Sequence, residues 1–321
     1  MKIALFDPNG GKFTLGMVSW WEKQGHEVIR QPYYNPELVA WADVIWFDTC
    51  DNNLKVAWDP PQNYLDDWAK EGKSIPWKMQ DIGLQNKKVI CRAIDIEVWH
   101  GHQNNVNWDY VDDVIFIAPH IQKLANEFEG LRNSRTKQHV IPCGVDIDYF
   151  TFAEHKPGKK IAWIAERWAS KGVNTTLQFM TMLPKEYELH ACGIWHDYDW
   201  EEAYAQDFIE KHLKDRVFIT DRADDINEWL EDKNYLWSAS TKEAFGYSIA
   251  EAASKGIKPI VHHYYGAEFP WGESGWLWNS LPEAIEMLSG DYDSKSYRQY
   301  LIDHNLTQEA MMRSFDGVIN G

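Results

Sequence analysis

Residues 234–261 read "NYLWSASTKEAFGYSIAEAASKGIKPIV". The opening "NYLWSAS" is a short run of apolar and aromatic residues, which suits a buried strand. "AFGYSIAEAASKG" (244–256) has small and apolar residues at helical spacing. It ends at Gly256, the residue type that best terminates a helix. "KPIVH" (258–262) is a second apolar run. Two short strands joined by a helix lie parallel, because parallel neighbours need a long crossover rather than a hairpin turn.

The same alternation recurs outward from this unit. Upstream, "KIAWIAE" (160–166), "YELHAC" (187–192) and "RVFIT" (216–220) read as strands. The helical stretches 172–183, 200–213 and 224–232 separate them. Nearer the start, "KIALF" (2–6), "HEVIR" (26–30), "ADVIWFD" (42–48), "KKVICR" (87–92), "DDVIFIA" (112–118) and "KQHVIP" (137–142) form a second series, with a helix over 13–25. The polar stretch "TFAEHKPGKK" (151–160) divides the two series, and the tail 296–320 is helical without a strand partner. There is no short-period repeat and no low-complexity tract. This pattern predicts an α/β protein of two Rossmann-like, doubly wound domains facing across a cleft. Ligands of such sheets bind beyond the carboxyl ends of the strands.

Composition narrows the function. The chain has 321 residues, 44% of them hydrophobic, enough for two cores. A net charge of −17 opposes broad binding to nucleic acid or anionic membrane, though a local basic groove is compatible with it. Cys50, Cys91, Cys143 and Cys192 are far apart, with no CxxC pair. They read as reduced, partly buried thiols of a cytoplasmic protein. The opening "MKIALF" breaks at Asp7-Pro8 and lacks the layout of a signal peptide. No run approaches the roughly eighteen apolar residues of a membrane span. Most of the 18 Trp are expected in the core or at its boundary.

The opening stretch also carries chemistry. Gly246 begins the helix, whose free N–H groups and positive dipole end suit a phosphate. Glu243 precedes that turn and can accept hydrogen bonds from a polyol. Glu251 lies eight residues on, a rotation of about 800°, which returns it within about 80° of the start. From there a carboxylate can reach a ribose diol. The same spacing also fits a solvated helix face with two surface glutamates. "HGH" (100–102) and "HH" (262–263) lack the spacing of a helical metal-ligand face. "DYDWEE" (197–202) reads as a helix cap.

"EAFGYSIAEAASKGIKPIV" resembles the Glu-x7-Glu motif of the retaining, GT-B glycosyltransferases of the family 4 type, which use nucleotide sugars. "FDPNGGKFTLGMVSWWEKQGHEV", "VIPCGVDIDYF" and "IAWIAERWASKGVNTTL" are similar, in order, to three further segments of that family. The resemblance covers nearly the whole chain and implies the following roles. Arg167 and Lys171 neutralise the donor diphosphate, and Glu243 serves catalysis beside them. Gly10, Gly11, Phe245, Gly246, Tyr247 and Ser248 hold the donor, and Glu251 holds its ribose. The N-terminal domain (1–152), joined by the C-terminal helix 294–321, binds the acceptor; residues 158–290 bind the nucleotide sugar. The family's acceptor-side histidine falls where this chain reads "VICRAIDIEVWHGH", so Arg92, Asp95 and His100 are the candidates there. Transfer to an acceptor hydroxyl is implied with no metal and no cofactor. The acceptor is a glycan, a small molecule, a protein or, least favoured by the charge, a modified nucleobase. A nucleotide-sugar hydrolase or epimerase, or a non-catalytic sugar-binding module on the same fold, remains the alternative.

Overall fold

A computed structural model describes all residues except 12–13 and 196–198. The first residue of the expected helix 13–25 and the start of the expected cap 197–202 lie outside the described residues. The chain divides into two compact units, Met1–Pro142 with Met311–Gly321, and Cys143–Ala310.

In the first unit, strands β1 (Lys2–Phe6), β2 (Glu27–Gln31), β3 (Val44–Phe47), β4 (Lys88–Ala93), β5 (Asp113–Phe116) and β6 (Lys137–Val140) form one parallel sheet. Its order is β2-β1-β3-β4-β5-β6. The central strands β3 and β5 are buried along their whole length, whereas the edge strands are partly exposed. Helices on both faces explain this, because they leave a central strand no solvated side. The helix Leu15–Lys23 covers one face through Trp21, whose ring meets Trp46 of β3 at 5.3 Å. Phe315 of the last helix, Gln308–Asn320, meets the same Trp46 at 5.0 Å. Between β3 and β4 the chain forms three short helices, Asn52–Val56, Gln62–Lys70 and Met79–Ile82, where the sequence pattern left helix or loop open. Their anchor is Trp77, ringed by Tyr34, Tyr64 and Trp68 at 5.3–5.7 Å.

The second unit repeats the plan with β7 (Lys160–Ile164), β8 (Glu188–Cys192), β9 (Val217–Thr220), β10 (Tyr235–Ser238), β11 (Lys258–His262) and β12 (Leu277–Trp278). These pair in parallel in the order β12-β11-β10-β7-β8-β9. The core is aromatic: Trp237 of β10 is stacked on Phe179 at 3.8 Å and on Trp278 at 4.9 Å. Its indole N–H donates to Thr176 Oγ1 at 2.9 Å, so the buried polar atom is satisfied.

The helix Tyr247–Lys255 buries Ala250, Ala252, Ala253 and Ser254 completely. These small side chains let the helix Ser294–Asp303 approach closely. There Arg298 Nη1 donates to the carbonyls of Phe150 and Ser254, each at 3.1 Å. These contacts explain why the unit boundary differs from the expected 1–152 plus 294–321. Residues 143–152 and 294–310 fasten to each other, as Val145 N donates to Leu306 O at 3.0 Å and Gln308 N to Val145 O at 2.8 Å. The tail is two helices rather than one, because Asn305 adopts a left-handed conformation with φ 57°. Only 311–321 belong to the first unit.

All four cysteines are buried, and none forms a disulfide. No helix among the described residues is long and apolar enough to cross a membrane.

Candidate functional site

In the second sheet the strand order reverses between β7 and β10. In doubly wound sheets the crevice outside the carboxyl ends of the strands at such a reversal is where ligands bind. After β7 the chain runs through Arg167 into a single 3-10 turn, Ala169–Lys171, and Gly172 then starts the helix Val173–Met182. After β10 it runs through Glu243 to the helix Tyr247–Lys255. The two loops are tied together, since Thr241 N donates to Ser170 O at 2.8 Å. That tie places Lys171 Nζ 2.6 Å from Glu243 Oε1, with the two side chains only 23% and 17% exposed. Residues 72 apart in sequence therefore form one charge pair at the switch point.

Glu243 lies outside the helix. Gly246 is the N-cap in a left-handed conformation, φ 83°, so the rotation of about 800° expected between Glu243 and Glu251 does not describe their relation. A Cβ at Gly246 would also stand 2.7 Å from Ile249 Cδ1. No side chain caps this helix, whose first turn begins with the half-buried Tyr247 and Ser248. Phe245 anchors the turn from below, packed on Tyr247 at 5.2 Å and Trp271 at 5.5 Å. Its carbonyl accepts from the Tyr264 hydroxyl at 3.4 Å, and that hydroxyl accepts from the Trp271 indole at 2.9 Å. Burial pushes the Tyr264 phenol well above its usual range, and the nearby Glu243 charge adds to the shift.

Arg167 is only 1% exposed. Its guanidinium lies 5.1 Å over the Trp195 ring, and Nη1 is 3.9 Å from Asp221 Oδ1. Among the described residues Nη1 and Nη2 have no hydrogen-bond partner. Burial lowers its pKa, which the Asp221 charge opposes. Glu251 sits farther along the helix, half-buried. It belongs to the electrostatic surroundings of Tyr149, whose hydroxyl donates to Asp225 Oδ1 at 2.8 Å. That hydrogen bond is the first cause of the raised Tyr149 pKa, followed by burial and by the charges of Asp225, Glu228 and Glu251.

The first unit gathers its polar groups at the carboxyl ends too. Asp7, fully buried after β1, accepts from Asn9 N at 2.8 Å, Gly11 N at 2.9 Å, Thr14 Oγ1 at 2.5 Å and Arg30 Nη1 at 3.1 Å. Gly10 and Gly11 form the loop that Asp7 organises. A Cβ at Gly11 would lie 3.0 Å from the Arg30 guanidinium, so Arg30 takes the space beside this glycine. Arg92 does not face solvent: it is 1% exposed, its Nη2 donates to Asp48 Oδ2 at 3.0 Å, and its Nε lies 3.0 Å from Asp48 Oδ1 in the same ion pair. Burial pushes the Asp48 carboxyl up to about 6, against the pull of Arg92. Asp95 is half-buried at the start of the short helix Ile96–Trp99. His100 is exposed at the end of that helix, its ring 6.0 Å from His102. His120, after β5, is half-buried; burial lowers its pKa and the Asp95 charge opposes that.

Sequence reasoning passed over Trp195, Asp221, Asp48 and His120. Each follows directly, or within a few residues, on a strand recognised in the sequence, so the carboxyl-end rule for doubly wound sheets was the signal available. No cluster of three or more His, Cys, Asp or Glu among the described residues is placed to hold a metal.

No family model matches the chain, and no curated protein matches it in sequence. Solved structures do match over its whole length. A glycosyltransferase from Rickettsia africae ESF-5 is 13% identical, with TM-score 0.66 over 99% of this chain and 97% of that one. HepE from Anabaena, in complex with UDP and glucose, is 14% identical, with TM-score 0.67 over 100% and 99%. Sucrose-phosphate synthase from Thermosynechococcus elongatus is 17% identical, with TM-score 0.66 over 100% and 98%. The two parallel six-stranded sheets with their helices are the GT-B fold of these glycosyltransferases.

Proposed function

We propose that this chain is a retaining glycosyltransferase that moves a sugar from a nucleoside-diphosphate sugar to an acceptor hydroxyl, in the cytoplasm and without metal or cofactor. The observation that carries the reading is Arg167. A guanidinium buried to 1% exposure, with two nitrogens lacking hydrogen-bond partners among the described residues, is costly unless something else supplies acceptors. Diphosphate oxygens supply them. Lys171 stands at the same crevice, and the uncapped helix after Gly246 offers N–H groups. The UDP and glucose bound in HepE support a donor of this class.

The chemistry follows from charge. As the glycosidic bond breaks, the leaving diphosphate gains negative charge, so cations held at that point stabilise the transition state more than the bound donor. Glu243 accepts hydrogen bonds from the sugar hydroxyls while it orients Lys171. The donor is held by Phe245, Gly246, Tyr247 and Ser248, with Gly10 and Gly11 lending backbone near the phosphates. Glu251 takes the ribose. The first unit binds the acceptor, with Asp95 and His100 as its contacts; Arg92 serves by fixing Asp48 rather than by touching the acceptor. The acceptor class remains glycan, small molecule or protein, with a modified nucleobase least favoured.

The test is a thermal-shift panel of nucleotide sugars, followed by turnover with and without acceptors and with EDTA. A ligand at 100 times its dissociation constant stabilises the fold by about 2.7 kcal/mol. Acceptor-dependent release of nucleoside diphosphate, insensitive to EDTA and giving product of unchanged anomeric configuration, supports the reading. Equal turnover without acceptor means a hydrolase or epimerase. Inversion at the anomeric carbon refutes the retaining assignment.

A further inference from the structure

Strands β7, β8 and β9 lie side by side, and the loops that leave them are knit together. Ala165 N donates to Cys192 O at 3.0 Å, Arg167 N to Ile194 O at 2.7 Å and Gly193 N to Thr220 O at 3.0 Å. This stitching sets one side chain from each loop in a row: Arg167, then Trp195, then Asp221. Trp195 offers its ring to the guanidinium at 5.1 Å. Asp221 brings a carboxylate to within 3.9 Å, an ion-pair distance too long for a hydrogen bond. The two partners are buried very differently: Arg167 is 1% exposed and Asp221 is 77% exposed.

The other pair in the crevice differs on every count. Lys171 and Glu243 are hydrogen-bonded at 2.6 Å and both largely buried. Asp221 is therefore the loosely held charge of the four. A solvated carboxylate can turn away at little cost, while its charge still opposes any second anion that approaches Arg167.

We infer that Asp221 is a resident counter-anion of the donor site. It half-neutralises Arg167 before the diphosphate arrives, competes with that diphosphate while it is bound, and so speeds departure of the nucleoside-diphosphate product. This rests on the donor-site reading above and adds to it a carboxylate that limits how tightly the product is held. A site with unopposed cations would bind product and donor alike too tightly for rapid turnover, since uniform binding does not raise the rate of the chemical step.

The experiment compares wild type, Asp221→Asn and Asp221→Glu by titration with UDP, GDP, ADP and dTDP at low and high salt. For the nucleotide that wild type binds best, Asp221→Asn should bind about three- to tenfold tighter at low salt, the effect of removing one solvated charge a few ångströms away. The gain should shrink as salt screens the interaction. Asp221→Glu, which keeps the charge, should behave as wild type, and product inhibition should deepen in Asp221→Asn alone. If wild type binds a nucleoside diphosphate and Asp221→Asn binds it no tighter, Asp221 merely orients Arg167 and the inference is overturned while the donor site stands. If wild type binds none of the four, the donor-site reading fails and this inference falls with it.

Discussion

Replacing Arg92 by Leu tests whether that residue serves the fold or a ligand. In the wild type the Asp48 carboxyl is wholly buried and pushed up to about 6 from 3.8, by burial first, with Arg92 pulling it back down and Asp7 raising it. The sign follows from proton counts. The folded state binds the proton more tightly than the unfolded state, so this group's contribution to stability is complete below about pH 4 and is lost as pH rises through about 6. At about pH 7.5 the loss is about 3 kcal/mol, from a shift of roughly two units. Without Arg92 the carboxyl stays protonated past that pH, and holding it so costs about 5 kcal/mol. The variant should therefore lose about 2 kcal/mol more than wild type at about pH 7.5, and almost none of that extra amount at about pH 5, where both proteins hold Asp48 protonated. Any cost from lost packing is common to both pH values. Urea denaturation at the two pH values measures the difference, and the double variant Asp48→Asn, Arg92→Leu should abolish its pH dependence. A gap between variant and wild type that is the same at both pH values would refute the reasoning.

Glu243→Gln should lower turnover by about a hundredfold with little change in donor Michaelis constant, whereas Glu251→Gln should raise that constant by about tenfold and spare turnover; steady-state kinetics separates the two, and wild-type behaviour in both would remove these glutamates from the site. Gly172→Ala should destabilise the fold by about 2–4 kcal/mol, because Gly172 has φ 70° and an added Cβ would stand 2.4 Å from Ala239 O; a denaturation midpoint within error of wild type would show that this loop can shift away from β10. The four thiols are buried, with Cys50 and Cys91 pushed up by desolvation, so a thiol reagent should label the native protein slowly and the urea-unfolded protein fast. Fast labelling of the native protein would mean that these cores open readily.

The strand series was legible because a strand buried on both faces must be largely apolar: β3 is so throughout, and β5 and β10 carry one polar residue each, Asp113 and Ser238, at a strand end. Strand β12 escaped notice because it is only two residues, Leu277–Trp278, paired at the sheet edge. The helices between β3 and β4 escaped for a different reason. The helix Gln62–Lys70 has no buried residue and packs through a tryptophan cluster, so tertiary contacts rather than helical spacing place it. In the candidate site, Lys171 and Glu243 stood out because each lies inside a recognisable motif. Their mutual distance was not, since it depends on a strand order that no local pattern encodes. Asp48 and Arg92 are 44 residues apart; nothing local tells a buried ion pair from two surface charges. The helical rotation assigned to Glu243 failed because a glycine in the left-handed region separates it from the helix it was counted on.

The two buried arginines are held in different ways. Arg92 and Arg167 are each 1% exposed. Arg92 meets a carboxylate that is itself wholly buried, through two contacts at 3.0 Å. Both members of that pair are hidden from water; losing Asp48 would leave an uncompensated buried charge, and losing Arg92 would force a proton onto Asp48, so the pair holds its unit together. Arg167 meets a carboxylate that is 77% exposed, at 3.9 Å, and two of its nitrogens lack hydrogen-bond partners among the described residues. The aromatic face of Trp195 and the hydrogen bonds that fix the backbone at Arg167 keep the guanidinium in place, so it need not swing to find an acceptor. Fixed position with unspent donors is what a site needs if charge is to be met as it develops, without reorganisation at the moment of reaction. Burial of the cation alone therefore does not separate the two arginines; the burial and distance of the partner carboxylate do, and on the donor-site reading proposed above it is Arg167, with its solvated and more distant Asp221, that is left to meet an anionic ligand.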